Sequence, residues 1–166
     1  MTEGGSIRVG ILTVSDSVSA GEREDVSGGR IAEWVDAAGW RTAARASVPD
    51  ETVPISSALL DWCDRDLCDL LITTGGTGLT ARDVTPEATR AVAEREVPGL
   101  AEALRAAGRS RTAFAAIGRG LAAVRGRTLI VNLPGSPSAV AEGLAVIAEV
   151  VPHAVELLRG DAARHD

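Results

Sequence analysis

The chain contains no lysine: all 17 of its basic residues are arginine. Chemistry that needs a lysine is thereby excluded, whether the ammonium of a Walker-type phosphate loop or a Schiff base. Cysteine is scarce as well. Cys63 and Cys68 stand in WCDRDLC with four residues between them. That is not a CxxC spacing, and no other cysteine or nearby histidine completes a zinc site, so two reduced thiols near a helix end are expected. The two histidines supply no evident base, since His153 falls in a helical pattern and His165 in a polar tail. No apolar run reaches the roughly 18 residues needed to span a bilayer, so no membrane association is expected. The opening MTEGGSIR lacks a basic segment followed by an apolar one, so no signal peptide is expected and a cytoplasmic location is the default. Positive charge is in deficit, with a net charge of −6. A nucleic-acid binder would carry a basic stripe, and nucleic acid is therefore not an expected partner.

What is present is globular: 166 residues, 45% hydrophobic and 24% charged. The length fits one domain over residues 1–166, without linker, repeat or low-complexity segment, and with the two ends as candidates for disorder. Ile7 to Val14 (IRVGILTV) is a short β-branched apolar run and predicts a buried strand. Ile31, Trp34 and Val35 share one face of a helix from about Arg30 to Ala38, which Gly39 ends. Arg41 to Val48 reads as a weaker strand, and Asp50 opens a helix carrying Ile55, Leu59 and Leu60. Leu70 to Thr74 is a strongly apolar strand. Thr85, Pro86 and Glu87 read as N-cap, first-turn proline and acidic first turn. A helix follows from about Leu100 to Ala107. Thr112–Ile117 and Ala122–Val124 read as short strands around a Gly-Arg-Gly turn. TLIVNL, ending at Leu133, is the last buried strand. A helix starts at Ser136, and Pro152 separates it from a final helix ending near Gly160. Strands alternate with helices and the central strands are apolar on both faces. The expected fold is a three-layer α/β/α sandwich with a mainly parallel central sheet.

In such a sheet, ligands bind beyond the carboxyl ends of the strands. Three loops leave those ends here: SDSVSAGEREDVSGG after Val14, GGTGLTARDVT after Thr74 and PGSPS after Leu133. All are rich in glycine and hydroxyl side chains, and two of them run straight into a helix N-terminus. Helix N-termini offer unpaired N–H groups and partial positive charge, and glycine lets backbone approach an anion, so a phosphate-bearing ligand is indicated. Two familiar phosphate sites do not fit. GGTGLTA contains Gly-x-Gly-x-x-Ala, but the helix waits until Pro86 and no acidic residue ends a strand about twenty residues on, as a dinucleotide fold requires. The Walker pattern fails for want of lysine.

Asp25, Asp50 and Asp83 lie in or beside these loops. A carboxylate repels a phosphate unless a cation stands between them, and Mg²⁺ is the usual bridge. Each also has a plain structural alternative: a solvated loop charge for Asp25, a helix N-cap for Asp50, a turn held by its own backbone for Asp83.

TVSDS, VPDE, TTGGTGLTARDVTPEAT and NLPGSPSAV together resemble the molybdopterin adenylyltransferase (Mog) family, including the G domains of plant and animal molybdenum-cofactor proteins. The likeness runs from about Ile7 to Gly160. Related MoaB-type proteins share the GGTG loop, and the RDVTPEAT continuation leans toward the adenylyltransferases. The resemblance implies a single molybdopterin-binding domain of the MoaB/Mog type that adenylylates molybdopterin with ATP and Mg²⁺, releasing pyrophosphate. It also implies a homotrimer that hands its product to a separate molybdotransferase. The essential acidic residues of that family fall on Asp50 and Asp83, as catalytic and metal-holding groups. Ser15 and Asp25 match further substrate positions, as do Gly75, Gly76, Thr77 and Gly78 in one loop and Pro134, Gly135 and Ser136 in another. Arg82 is either a stabiliser of transferring phosphate or a surface charge. The sequence departs from the pattern at Ile117-Gly118-Arg119, where many relatives have Leu-Ser-Arg, so a hydroxyl is missing. The alternative is a non-catalytic or tungsten-directed pterin-binding paralogue of the MoaB type.

Overall fold

Side chains alternate across the central strands, and the two resulting sets lie in two different cores. A computed structural model describes residues 5–160; the polar ends and His165 lie outside the described residues. The first strand, β1 (Arg8–Val14), is followed by a one-turn helix α1 (Asp16–Ser19), α2 (Val26–Ala37), β2 (Arg41–Val48), α3 (Thr52–Asp64) and β3 (Leu70–Thr74). Then come α4 (Thr85–Val92), β4 (Arg95–Glu96), α5 (Pro98–Arg109), a 3₁₀ turn (Ala113–Ile117), β5 (Ala122–Arg125), β6 (Thr128–Leu133), α6 (Pro137–Ala148) and α7 (Val151–Arg159). Val9, Ile11, Leu70, Ile72, Val131 and Leu133 pack with Ile31, Val35, Val140 and Ile147 of α2 and α6 on one face. Leu12, Leu71 and Ile130 pack with Ile55, Leu59 and Trp62 of α3 on the other. With both faces covered, every residue of β3 and β6 is buried, which is why those strands read as unbroken apolar runs.

The sheet order is β2-β1-β3-β6-β5-β4. The pairs β1–β2, β1–β3 and β3–β6 are parallel, whereas β5 is antiparallel to both β6 and β4. The expected three-layer sandwich with a mainly parallel sheet is therefore the observed one. From β1 the chain moves outward to β2, then returns to place β3 on the opposite side. The carboxyl ends of β1 and β3 thus flank the switch point where an open α/β sheet leaves a crevice.

Local expectations differ from the structure at several places. Thr112–Ile117 is not a strand. The Thr112 N–H donates to Gly108 O at 3.0 Å, the Thr112 hydroxyl caps the 3₁₀ turn by accepting from Phe114 N, and Phe114 is 79% exposed. The run has strand-forming residue types, but α5 ends against it and no neighbouring strand edge reaches it. Helix α2 starts four residues before Arg30, because Asp25 caps it through Gly28 N at 2.9 Å. Two-residue β4 escapes a sequence reading because it exists only through its pairing with Ala123 and Val124.

Away from the loops, Asp69 fastens the opposite end of the sheet. Its side chain is 1% exposed and accepts from Arg8 at 2.9 Å and Arg159 at 2.7 Å. Burial pushes this carboxyl up, but the hydrogen bonds from Arg8 and Arg159 outweigh it and hold the group well below the usual carboxylate range. Cys63 and Cys68 are free and buried, and burial pushes their thiols up to about 11 and about 12. They are protonated, unreactive core groups, as their spacing suggested. Among the described residues no single helix is long and apolar enough to cross a membrane.

Candidate active site

The loop after β3 turns sharply because two successive glycines take left-handed backbone, with φ of +99° at Gly75 and +68° at Gly76. A Cβ on Gly75 would stand 2.3 Å from Val14 O, so only glycine lets β3 leave the sheet against the end of β1. A Cβ on Gly76 would strike the Thr85 hydroxyl at 2.3 Å. That hydroxyl donates to Gly75 O at 2.9 Å, and Thr85 N donates to Gly76 O at 3.1 Å. Thr85 is therefore not the N-cap of α4; Val84 holds that position without a side-chain cap, and the threonine is spent on bracing the glycine turn.

The sequence-predicted residues other than Gly76, Asp50 and Asp83 divide between two hollows beside this loop. A polar cleft of about 390 Å³ is lined by Ser15, Asp25, Gly75, Gly135 and Ser136, together with Thr13, Ser27 and Thr74. The N-termini of α2 and α6 border it, and the Ser27 hydroxyl ties them by donating to Gly135 O at 2.7 Å. Ser15 and Ser136 cap α1 and α6, accepting from Val18 N and Ala139 N. Asp25 is no free loop charge: besides capping α2 it accepts from the Thr13 hydroxyl at 2.8 Å. On the far side, Thr77, Gly78 and Pro134 line a largely apolar cavity of about 300 Å³, with Leu104, Ala115, Gly118 and Asn132. Gly118 is where a hydroxyl was expected from the resemblance, so the missing donor is missing from this cavity wall.

Asp50 and Asp83 line neither hollow and stand against the glycine loop at Gly76 and Gly78. Asp50 Oδ1 lies 3.3 Å from where a Gly76 Cβ would be, and Asp83 Oδ2 lies 2.8 Å from the same point on Gly78. Asp50 does not cap a helix. Glu51 occupies the N-cap of α3, with no side-chain hydrogen bond. Instead Asp50 Oδ2 accepts from Asp16 N at 2.9 Å, and Asp16 Oδ1 accepts from Asp50 N at 3.0 Å, a reciprocal clasp between the loops after β1 and β2. Burial, then the neighbouring carboxylates of Asp16 and Asp83, raise the Asp50 carboxyl above its ordinary range. Asp83 does hold a turn, accepting from Thr80 N at 2.9 Å, and this uses one of its oxygens.

Asp16 and Arg119 are the residues that sequence reasoning passed over. Arg82, left open as a phosphate stabiliser or a surface charge, grips Asp16 with Nε at 3.1 Å and Nη2 at 2.8 Å. The guanidinium holds the Asp16 carboxyl below its usual range. Arg119 donates to Gly78 O and Asp83 O, both at 2.7 Å, and pairs with Glu87. Only the charged residue within the SDS segment and the arginine after Gly118 could have signalled them.

The donor set fits a divalent cation of the Mg²⁺ kind. Among the described residues no group of three or more His, Cys, Asp or Glu side chains forms a closed metal site. Asp50 and Asp83 both stand against the glycine loop, and burial first, then the carboxylates of Asp16 and Asp83, raise the Asp50 carboxyl; Mg²⁺ characteristically takes one or two carboxylates and completes its shell with water and phosphate oxygens.

A parallel α/β sandwich with a helix-bordered polar cleft and paired carboxylates at its switch point belongs to the class that binds phosphate-bearing small molecules. Comparison with known proteins narrows this. The family profile described as "Probable molybdopterin binding domain" matches residues 10–153. The chain belongs to that family. It is 37% identical over 158 residues to the molybdopterin adenylyltransferase of Helicobacter pylori J99, covering 94% of this chain and 90% of that one. It is 40% identical to the molybdenum cofactor synthesis protein cinnamon of Drosophila melanogaster, of whose length it spans 26%. Among solved structures, the molybdopterin biosynthesis enzyme MoaB of Thermus thermophilus has 51% identity and a TM-score of 0.87, covering 93% of this chain and 97% of that one. A tungsten cofactor synthesizing MoaB from Pyrococcus furiosus has 32% identity and a TM-score of 0.84, with coverage of 93% and 98%.

Proposed function

We propose that the protein transfers the adenylyl group of ATP to the phosphate of molybdopterin, releasing pyrophosphate, as a cytoplasmic step of molybdenum cofactor biosynthesis. The observation that carries this reading is that Asp50 and Asp83 stand against a glycine loop whose Gly75 lines a polar cleft and whose Thr77 and Gly78 line an apolar cavity. Phosphate groups suit the cleft, where the N–H groups and dipoles of α2 and α6 converge, and a flat ring suits the apolar cavity. Gly75, Gly76 and Gly78 let the loop pass against Val14, Thr85 and Asp83, where a side chain would clash. Asp50 and Asp83 would hold Mg²⁺, which when bound supplies charge neutralisation to the triphosphate.

The rest falls to the chain itself. No histidine base is required, because a phosphate monoester is mostly ionised at pH 7 and can attack the α-phosphorus as it stands. Catalysis is then positioning and electrostatic stabilisation by N–H groups that need no reorganisation. Ser15 and Ser136 aim their N-caps at the cleft and Ser27 keeps the two helix ends in register. Arg82 acts on Asp16, and through the reciprocal backbone clasp it keeps Asp50 in place.

The test is direct. Purified protein, ATP, Mg²⁺ and molybdopterin should yield adenylylated molybdopterin by mass spectrometry, with pyrophosphate in equal amount. Tight molybdopterin binding without that product would make the chain a non-catalytic pterin-binding protein. A tungsten-directed pathway is compatible with the same step, since adenylyl transfer precedes metal insertion, and a molybdotransferase would take up the product.

The proposed assembly is a homotrimer, in line with the closed cyclic symmetry usual for soluble homo-oligomers. Light scattering at micromolar protein should give three times the chain mass of 17.1 kDa. A stable monomer would refute it.

A further inference from the structure

Arg119 lies beyond the three ligand-facing loops, yet both its side chain and its backbone donate to the glycine loop. Its Nε donates to Gly78 O and its Nη2 to Asp83 O, both at 2.7 Å. Its backbone N–H donates to Thr77 O at 2.9 Å. Gly78 and Asp83 are the two ends of one exposed excursion, inside which one backbone hydrogen bond is found, Asp83 N to Thr80 O at 3.0 Å. One rigid fork therefore closes a segment that its own backbone barely holds. The charge on Arg119 is matched by Glu87, which leaves the guanidinium committed to the protein rather than to an anionic ligand. Its backbone is fixed in turn. Arg105 Nη1 donates to Gly120 O at 3.0 Å and Gly118 O at 3.4 Å, the carbonyls on either side of Arg119. Asn132 accepts from Leu121 N through its side chain at 3.0 Å, anchoring the same stretch to β6.

We infer that Arg119 is a positioning residue for Asp83: by bridging Gly78 O and Asp83 O, on a backbone that Arg105 secures, it holds the Asp83 carboxylate where it can share a divalent cation with Asp50. The inference rests on the reading of Asp50 and Asp83 as the Mg²⁺-holding pair. Lysine cannot substitute, because an ammonium is a point donor and lacks the planar fork that spans two carbonyls.

The test separates positioning of the cation from general support of the fold. Titration calorimetry with α,β-methylene ATP, whose α–β link cannot be cleaved, is run on the full chain with Mg²⁺ and again with EDTA; the ratio of the two affinities is the metal-dependent gain. Arg119→Lys is expected to lose about tenfold of that gain, the usual cost of disturbing a group that orients a metal ligand, with its affinity in EDTA unchanged. Arg105→Lys, which touches nothing in the glycine loop, is expected to show the same loss in smaller measure and keeps the test valid should the first variant fold poorly. Glu87→Gln, which leaves both carbonyl bonds in place, is expected to keep the wild-type gain. The inference is overturned if the Arg119 and Arg105 variants keep the full gain, if they lose affinity equally with and without Mg²⁺, or if Glu87→Gln reproduces their loss. Absence of any Mg²⁺ gain in the wild type would instead remove the carboxylate-pair reading, and the inference with it.

Discussion

Asp83→Asn is expected to lower adenylyl transfer by roughly a hundredfold or more, the scale seen when a charge-stabilising group is removed from a preorganised site. Stability should be nearly untouched. The asparagine carbonyl can still accept from Thr80 N, the one backbone bond the carboxylate makes, and the side chain keeps its shape beside Gly78. Asp50→Asn should behave alike, since its carbonyl can still accept from Asp16 N. Here the sign of the stability change is also set. Burial and the neighbouring carboxylates raise the Asp50 carboxyl in the native protein. A carboxyl with a raised native value favours the fold below its unfolded value of about 3.9 and loses that contribution as pH rises through the native one. Near pH 7 the ionised Asp50 therefore opposes folding, and the neutral amide should leave the melting temperature equal or higher. Turnover and thermal unfolding measured on the same two variants decide the matter. Wild-type turnover of Asp83→Asn at saturating Mg²⁺ would show that its role ends with the turn.

The second large effect lies at the other end of the sheet and concerns stability alone. Asp69→Asn is expected to destabilise the protein by about 3–5 kcal/mol, the cost of removing one partner from a buried ion pair. Arg8 and Arg159 both direct their guanidiniums at this one carboxylate, and Arg8 N also donates to it at 2.8 Å. An amide withdraws the buried carboxylate that both guanidiniums share and turns an NH₂ toward them, while Arg8 keeps its pairing with Asp66. The native carboxyl is depressed, so its contribution is complete above the unfolded value of about 3.9 and is lost as pH falls through the depressed native value. Urea unfolding should show the variant weakest relative to wild type at neutral pH and the difference shrinking below pH 4. A variant within about 0.5 kcal/mol of wild type at pH 7 would mean that the network merely occupies the surface.

The elements that a sequence reading placed well share one property. The alternation of Val9, Ile11 and Leu12, and of Leu70, Leu71 and Ile72, is a local pattern that two opposed cores impose on single strands. The glycine-rich exits of β1, β3 and β6 are equally local, since a tight turn or helix cap is written in adjacent residues. What escaped depends on partners far along the chain. Asp50 looked like a cap because it stands just before α3, yet its partner is Asp16, 34 residues away. Thr85 looked like the cap of α4, and its hydroxyl reaches back to Gly75.

Composition, strand period and turn chemistry were thus sufficient for the layered α/β sheet, for the glycine-rich loops at its carboxyl edge, and for the exclusion of lysine chemistry, because each depends on neighbours within a few residues. The packing of distant segments settled the rest. It made Thr112–Ile117 a 3₁₀ turn rather than a strand, sorted Ser15, Asp25 and Ser136 into a polar cleft apart from Thr77 and Pro134, and gave Arg119 its grip on Asp83 across 36 residues. A guanidinium reaches a carbonyl on another loop only after the sheet has brought both there, and nothing in the residues beside either one encodes that meeting.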